Sequence, residues 1–188
     1  MSALPRLEPK LYTADDLAAL PSDARFELVE GALRPMPPPA GDLHGSVTFD
    51  IAVFVGNFLN QQNLGRGYAA ETGFVVARDP DTVLAPDFAF VARERLAPPQ
   101  RDGFVPVVPD LVLETRSPGD RPRAVAEKVG RWVAAGVRMV WELDPKARVL
   151  TVHRPGTEPR ALGPDDTLTG DDVLPGFTLP LGRLFRGD

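Results

Sequence analysis

Three features of the sequence predict an α/β fold in which long helices cover a mixed sheet. Two short apolar runs, 88–91 and 111–113, are each opened by Pro-Asp and have the length and composition of buried strands. Two longer stretches, from residue 42 and from residue 122, repeat apolar side chains at a period near 3.6, as helices lying on a flat surface do. Helix and strand signals also alternate along the chain, the order that builds layered α/β domains. With 188 residues and 43% hydrophobic side chains, the chain can bury one sizeable core, so one domain over 1–188 is expected.

Each element follows from local chemistry. Residues 1–11 read as a loose tail. Thr13 can cap a short helix to Leu20, with Asp16 as an acidic capping-box partner and Pro21 closing it. Residues 25–33 alternate as a hairpin, Phe26 and Leu28 on one face and Glu27 and Val29 on the other, turning at Glu30 and Gly31. Four prolines in residues 35–40 make a stiff loop. Asp42 then opens a helix whose stripe is Leu43, Val47, Ile51, Phe54, Phe58 and Leu59, and which ends before Gly65 and Gly67.

A meander is expected next, with a strand over 68–78, a turn at 79–81 and a strand over 83–91 kinked at Pro86. Residues 93–109 read as a surface loop, 110–115 as a strand and 117–120 as a turn. The helix over 122–135 turns Val125, Val129, Trp132 and Val133 inward and stops at Gly136. Strands over 137–143 and 148–154 form a hairpin through residues 144–147, and residues 174–177 introduce a short C-terminal segment.

Composition removes several classes of function. Without cysteine there is neither a disulfide framework nor a thiolate zinc site, and two histidines cannot form a multi-histidine cage, so any metal must be held mainly by oxygen. No apolar run approaches a membrane span and no basic-then-apolar leader is visible, so a cytoplasmic location is expected. A formal charge of -5 argues against a surface coated for non-specific nucleic-acid binding, but not against a local basic groove.

Charges set against the local pattern mark the candidate site. Asp110 and Glu114 are four apart on one strand, about 13 Å at roughly 3.3 Å per residue, too far to share an ion. Asp87 is the better partner for Glu114, because neighbouring strands lie roughly 4.8 Å apart. Taken alone, Asp87 is equally a turn residue opening a strand. Glu114 interrupts a buried-type run, where a carboxylate needs a cation or a metal. Lys128 lies at the edge of its helix's apolar stripe; its ordinary reading is a snorkelling lysine with its ammonium in water. The ordinary reading of His44, favoured for the residue taken alone, is a satisfied helix-terminal histidine, and that of Glu27 a salt bridge to a nearby arginine.

Together these residues resemble a known pattern. A Pro-Asp strand start, a glutamate inside the next strand and a nearby lysine are similar to the PD-(D/E)XK nuclease superfamily. Arg25-Phe26-Glu27-Leu28-Val29-Glu30-Gly31, Met36-Pro37-Pro38-Pro39 with His44, Ala85-Pro86-Asp87, Pro109-Asp110-Leu111-Val112-Leu113-Glu114 with Ser117-Pro118, Glu127-Lys128 and Val140-Trp141-Glu142-Leu143-Asp144-Pro145 resemble the Uma-two family of restriction-endonuclease-like proteins. The resemblance covers about residues 12–185. It implies a restriction-endonuclease-like mixed sheet flanked by helices and hydrolysis of phosphodiester bonds in nucleic acid, with DNA expected. It also implies magnesium or manganese on Asp87 and Glu114. Thr115 is expected to assist through its backbone carbonyl.

One departure sets up a rivalry. The superfamily lysine stands two residues after the glutamate, where this chain has Arg116; in the resembled family it has moved to the following helix, which Lys128 matches. Lys128 is the expected catalytic cation, with Asp87 and Glu114. Arg116, which shares Glu114's face, is the rival, and Glu27 and His44 are auxiliary. From Arg116 to Arg131, five cations (Arg116, Arg121, Arg123, Lys128, Arg131) stand against Asp120 and Glu127, a stretch where a phosphate backbone could lie. A homodimer is expected. Two other classes stay open: a nuclease-fold protein that binds nucleic acid or a partner without cleaving, and an interaction protein whose carboxylates are only salt-bridged.

Overall fold

Thr13 opens the first helix in the computed structural model, which describes residues 10–21, 23–98 and 103–185. Of the tail expected over 1–11, residues 1–9 lie outside the described residues. In α1 (Ala14–Ala18) the Thr13 side chain accepts from the Asp16 N–H, and the Asp16 carboxylate accepts from the Thr13 N–H, which completes the capping box. Strands β1 (Phe26–Val29) and β2 (Ala32–Pro35) form the expected hairpin. Glu30 and Gly31 both take positive φ, 50° and 73°, the turn whose twist matches its strands.

Helix α2 (Asp42–Gln62) buries Val47, Ile51, Val55 and Leu59 and ends on Asn63 in the left-handed region. Phe54 and Phe58 pack on the flank of that stripe. Leu43, expected inside it, is 45% exposed. The first turn of α2 lines a cavity instead of the packed core, so Leu43 has no apolar wall to meet.

The two long strands expected over 68–78 and 83–91 are each broken in two. The first becomes β3 (Gly65–Ala69) and β4 (Phe74–Ala77), separated by a turn in which Glu71 takes φ 65°. Gly65, expected to end the preceding excursion, lies inside β3. A Cβ there would stand 2.1 Å from the Val91 carbonyl oxygen, so only glycine lets β3 lie this close to its neighbour. The second strand becomes β5 (Thr82–Leu84) and β6 (Phe88–Ala92). Between them Pro86 has no N–H to give a ladder, and the Ala85 N–H goes to the Glu27 carboxylate. At that break the chain passes from one sheet to another. In the loop expected over 93–109, Val105 bridges to Phe74, and Val107 and Val108 pack on the core, so this segment is partly structural.

Strand β7 (Leu111–Thr115) is followed by α3 (Pro122–Ala134) and the parallel strand β8 (Met139–Asp144), a βαβ crossover. Strand β9 (Val149–His153) returns through the expected hairpin. Three short strands, β10 (Arg160–Leu162), β11 (Thr167–Thr169) and β12 (Thr178–Pro180), were not anticipated; each spans three residues, too few to show a period. One sheet has the order β2-β1-β5-β4, a second β10-β9-β8-β7-β6-β3, and β11 pairs with β12. Only the β7–β8 pairing of the six-stranded sheet is parallel.

Strand alternation divides the six-stranded sheet between the two long helices. Phe88, Phe90, Leu111 and Leu113 meet α2, whereas Ala89, Val91, Val112 and Val140 meet Val129 and Trp132 of α3. Trp132 is fully buried, and removing such a ring from water contributes on the order of 4–6 kcal/mol. Among the described residues no helix is long and apolar enough to cross a membrane.

Candidate active site

The same alternation aims the end of β7 at both helices. Glu114 follows the parity of Val112 and faces α3; Thr115 follows Leu113 and faces α2, where its hydroxyl accepts from Thr48 at 2.8 Å. Strand β6 runs antiparallel to β7, and one step beyond the Phe88–Leu113 pair the register puts Asp87 beside Glu114. The Asp87 carboxylate accepts the Thr115 N–H at 2.7 Å, and the Asp87 N–H donates to the Leu113 carbonyl at 3.2 Å.

From the α3 side, Lys128 brings its ammonium to 2.9 Å from Glu114 Oε2 and 3.7 Å from Glu27 Oε1, and donates to the Ala85 carbonyl at 3.3 Å. Four residues along the same helix face, Trp132 donates its indole N–H to Glu114 Oε1 at 2.7 Å. From the α2 side, His44 Nε2 lies 3.3 Å from Asp87 Oδ1, and its Nδ1 is 3.1 Å from the Ser117 hydroxyl. Glu27, Asp87, Glu114, Thr115, Lys128 and His44 therefore converge from five segments. All but Glu27 line a cavity of about 630 Å³ that Arg116 lines too.

For three side chains the structure selects between the readings that the sequence left open. The ammonium of Lys128 is turned to the carboxylates, as the site reading requires, and not held out in water as a snorkelling lysine would be. Glu27 pairs with this lysine and not with an arginine, because its position in β1 faces the break at Ala85. Arg116 does not share Glu114's contacts: its guanidinium lies 3.0 Å from Asp144 and 3.6 Å from Glu142, both on β8. Asp110 sits at the other end of β7, fully buried, where it accepts from the Ala92 N–H, Arg95 and Arg138.

Burial and the surplus of carboxylates together set the electrostatics. Burial pushes Glu114 up to about 7 from an ordinary 4.5, the Asp87 charge adds to the rise, and the charge and hydrogen bond of Lys128 oppose it. For Lys128, burial pulls downward but is outweighed by the charges of Glu114, Glu27 and Asp87 and the hydrogen bond to Glu114. The ammonium is held above the ordinary lysine value. The hydrogen bond to Asp87, outweighing burial, raises His44 above its usual 6.5. Three carboxylates thus share Lys128 and His44. Among the described residues, no three or more histidine, cysteine, aspartate or glutamate side chains are gathered tightly enough to hold a metal ion by themselves.

Trp132, Thr48 and Ser117 escaped sequence reasoning as site residues. Trp132 was legible in principle, since a residue four after Lys128 on a buried stripe meets the same strand end, and a buried indole N–H seeks an acceptor. Thr48 and Ser117 carried no signal beyond a hydroxyl. The basic stretch around α3 is largely self-neutralised. Arg116 is 3.0 Å from Asp144, Arg123 is 2.9 Å and Arg131 3.8 Å from Glu127, and Lys128 is 2.9 Å from Glu114.

Known proteins carry the same fold. None of the curated proteins matches the chain. Among solved structures, a putative nuclease belonging to DUF820 from Anabaena variabilis superposes with a TM-score of 0.77 at 22% identity, over 92% of this chain and 97% of that one. At that identity the likeness establishes the fold, a restriction-endonuclease-like mixed sheet with flanking helices. Residues 14–182, from the first residue of α1 to the turn after β12, match the Uma2 family, described as putative restriction endonuclease, and the chain belongs to that family.

Proposed function

We propose that the protein is a metal-dependent nuclease that hydrolyses phosphodiester bonds at the end of β7, with Asp87, Glu114 and Lys128 as its catalytic residues. The carrying observation is the Lys128 ammonium, fixed 2.9 Å from Glu114 beside Asp87 in an open cavity. With this reading go the sequence expectations of DNA as substrate, a homodimer and a cytoplasmic location.

The donor set fits a hard divalent cation. Each oxygen of Asp87 and Glu114 faces one donor and keeps a lone pair, and the cluster has more carboxylates than cations. Asp87, Glu114 and the Thr115 carbonyl would hold the ion, with magnesium or manganese as the candidates. So few protein ligands suit magnesium, which keeps several waters and takes substrate phosphate oxygens. When bound, the cation supplies Lewis acidity, neutralising charge on the phosphate and making water a stronger acid.

The chain's own residues do the rest. Lys128, held protonated by Glu114 and Glu27, aims donors at the phosphate and stabilises charge as it develops there. Trp132 and the Thr115 N–H fix one oxygen of Glu114 and of Asp87, so neither carboxylate can swing away. His44 is an auxiliary group; it orients Asp87 and can exchange a proton with Ser117 or water. Arg116, engaged by Asp144, contributes to substrate binding more than to chemistry.

The test is cleavage of plasmid and oligonucleotide substrates with magnesium or manganese. Lys128→Met should keep the fold and metal affinity and lose cleavage, Asp87→Ala should lose both cleavage and metal affinity, and Arg116→Met should raise KM. Full activity in Lys128→Met beside an inactive Arg116→Met would return the cationic role to the strand. A second reading, a nuclease-fold module that binds without cleaving, is favoured by the pairing of the cavity's cations with carboxylates. Metal-dependent cleavage that vanishes in Asp87→Ala would exclude it.

A further inference from the structure

We propose that the cavity takes an unstacked nucleobase beside the phosphate, with Phe49 as its stacking platform, so that the preferred substrate is an unpaired strand over an intact duplex. This rests on the nuclease reading for the phosphate's position and goes beyond it by naming the substrate class.

Two observations carry the inference. The first is the make-up of the cavity wall. Much of it is apolar, from residues 36–40, Phe49, Ala52, Ala69, Ala70 and Pro86, alongside Arg25, Glu71 and the site residues. Phe49 is 67% exposed and lines this cavity, so its ring is open to a ligand there. Helix geometry sets it at the rim. His44 and Thr48, four apart, face Asp87 and Thr115, and Phe49 follows Thr48 by about 100° around the helix and lies about 7.5 Å along it from His44. An aromatic face thus stands about one and a half helical turns from His44, which meets Asp87, within the same cavity.

The second observation is the state of the cations. Among the described residues lining the cavity, Arg25 lies 2.8 Å from Glu71, Arg116 3.0 Å from Asp144 and Lys128 2.9 Å from Glu114. Grip on an intact duplex comes chiefly from cations that replace its counterions, and these three already have partners. A strand with exposed bases offers a second source of affinity, since any base can stack on an aromatic side chain whatever its sequence. A ring of base size fits the volume of about 630 Å³ with room for its sugar and phosphate.

The experiment uses the full chain in calcium-containing buffer and measures binding by fluorescence anisotropy. The probes are a labelled twelve-nucleotide single strand, the same strand annealed to its complement, and the strand with abasic sites. Wild type should bind the single strand more tightly than the duplex. Phe49→Ala should lose roughly tenfold on the single strand and almost nothing on the duplex, Phe49→Trp should retain the affinity, and abasic sites should weaken wild type but not Phe49→Ala further. Phe49 is mostly exposed, so the variant should fold, which its thermal transition checks. Equal or tighter duplex binding, no binding of either form, or a Phe49→Ala that binds the single strand as wild type does would overturn the inference. So would sedimentation in which Phe49→Ala converts a dimer to a monomer with oligonucleotide binding unchanged. Cleavage of the same probes in magnesium is scored apart: its absence removes the nuclease reading and leaves the binding result standing.

Discussion

Glu114 should make the metal-free protein less stable as pH rises, and the size of the effect follows from its burial. Its folded pKa is pushed up to about 7 while an unfolded glutamate titrates near 4.5, so the folded state binds the proton more tightly. The sign follows: the stabilisation is fully present below about pH 4.5, declines as pH rises, and is lost once pH passes through about 7. A difference of about 2.5 units at about 1.4 kcal/mol each gives about 3 kcal/mol between the two ends of that window. Glu114→Gln removes the titration. It also adds a constant cost, because a carboxamide cannot accept from both Trp132 and Lys128, but that offset does not depend on pH. Urea unfolding followed by circular dichroism from pH 4 to pH 8, in EDTA, should therefore give two curves that diverge in shape: the wild type loses about 3 kcal/mol relative to the variant across the window. Parallel curves would refute the claim that burial governs this carboxylate.

Three further outcomes are expected. The His44 ring should titrate by NMR with a midpoint above 6.5, so its contribution to stability is present below that value and fades as pH rises past the raised midpoint. Asp87→Asn should move the midpoint down, since the Asp87 carboxylate is the main cause. Asp110→Ala, far from the cavity, should cost about 1–3 kcal/mol in urea unfolding, chiefly by leaving the buried Ala92 N–H without its acceptor, since Arg95 and Arg138 are more than a third exposed and stay hydrated, while metal affinity stays as in wild type. Gly65→Ala should lose about 1–3 kcal/mol in the same assay, because its methyl group would push β3 off the Val91 carbonyl of β6.

How far the fold could be read depended on whether a segment's partner was visible from its own pattern. The α1 capping box, the Glu30-Gly31 hairpin and the inward face of α3 are local: their periods and turn residues fix them, and the structure agrees. The strands over 68–78 and 83–91 failed for a nonlocal reason. Strand-forming residues stand on both sides of the points where the chain changes sheets, and period-2 alternation carries no mark of which sheet a residue joins. The marks that existed were single residues, Gly73 and Pro86, each weak evidence of a break. A Cβ at Gly73 would meet the Phe104 ring at 2.3 Å, a contact that only the folded chain reveals.

The candidate site was half legible, and the division has one physical cause. Asp87 and Glu114 could be paired in advance because strand spacing and antiparallel return leave little freedom: a carboxylate opening β6 must lie near one closing β7. The choice between Arg116 and Lys128 could not be made that way. Residue parity alone favours Arg116, which shares Glu114's face of the sheet. Its guanidinium goes to Asp144 and Glu142 because parallel β8 sets Glu142 in register with Glu114 and ends on Asp144, giving the arginine two carboxylates one strand over. Lys128 then meets Glu114 from the helix, at the length its flexible stem allows. The cation beside the carboxylates was thus decided by what competes for the arginine, and the competitors, Glu142 and Asp144, lie more than 25 residues further along the chain.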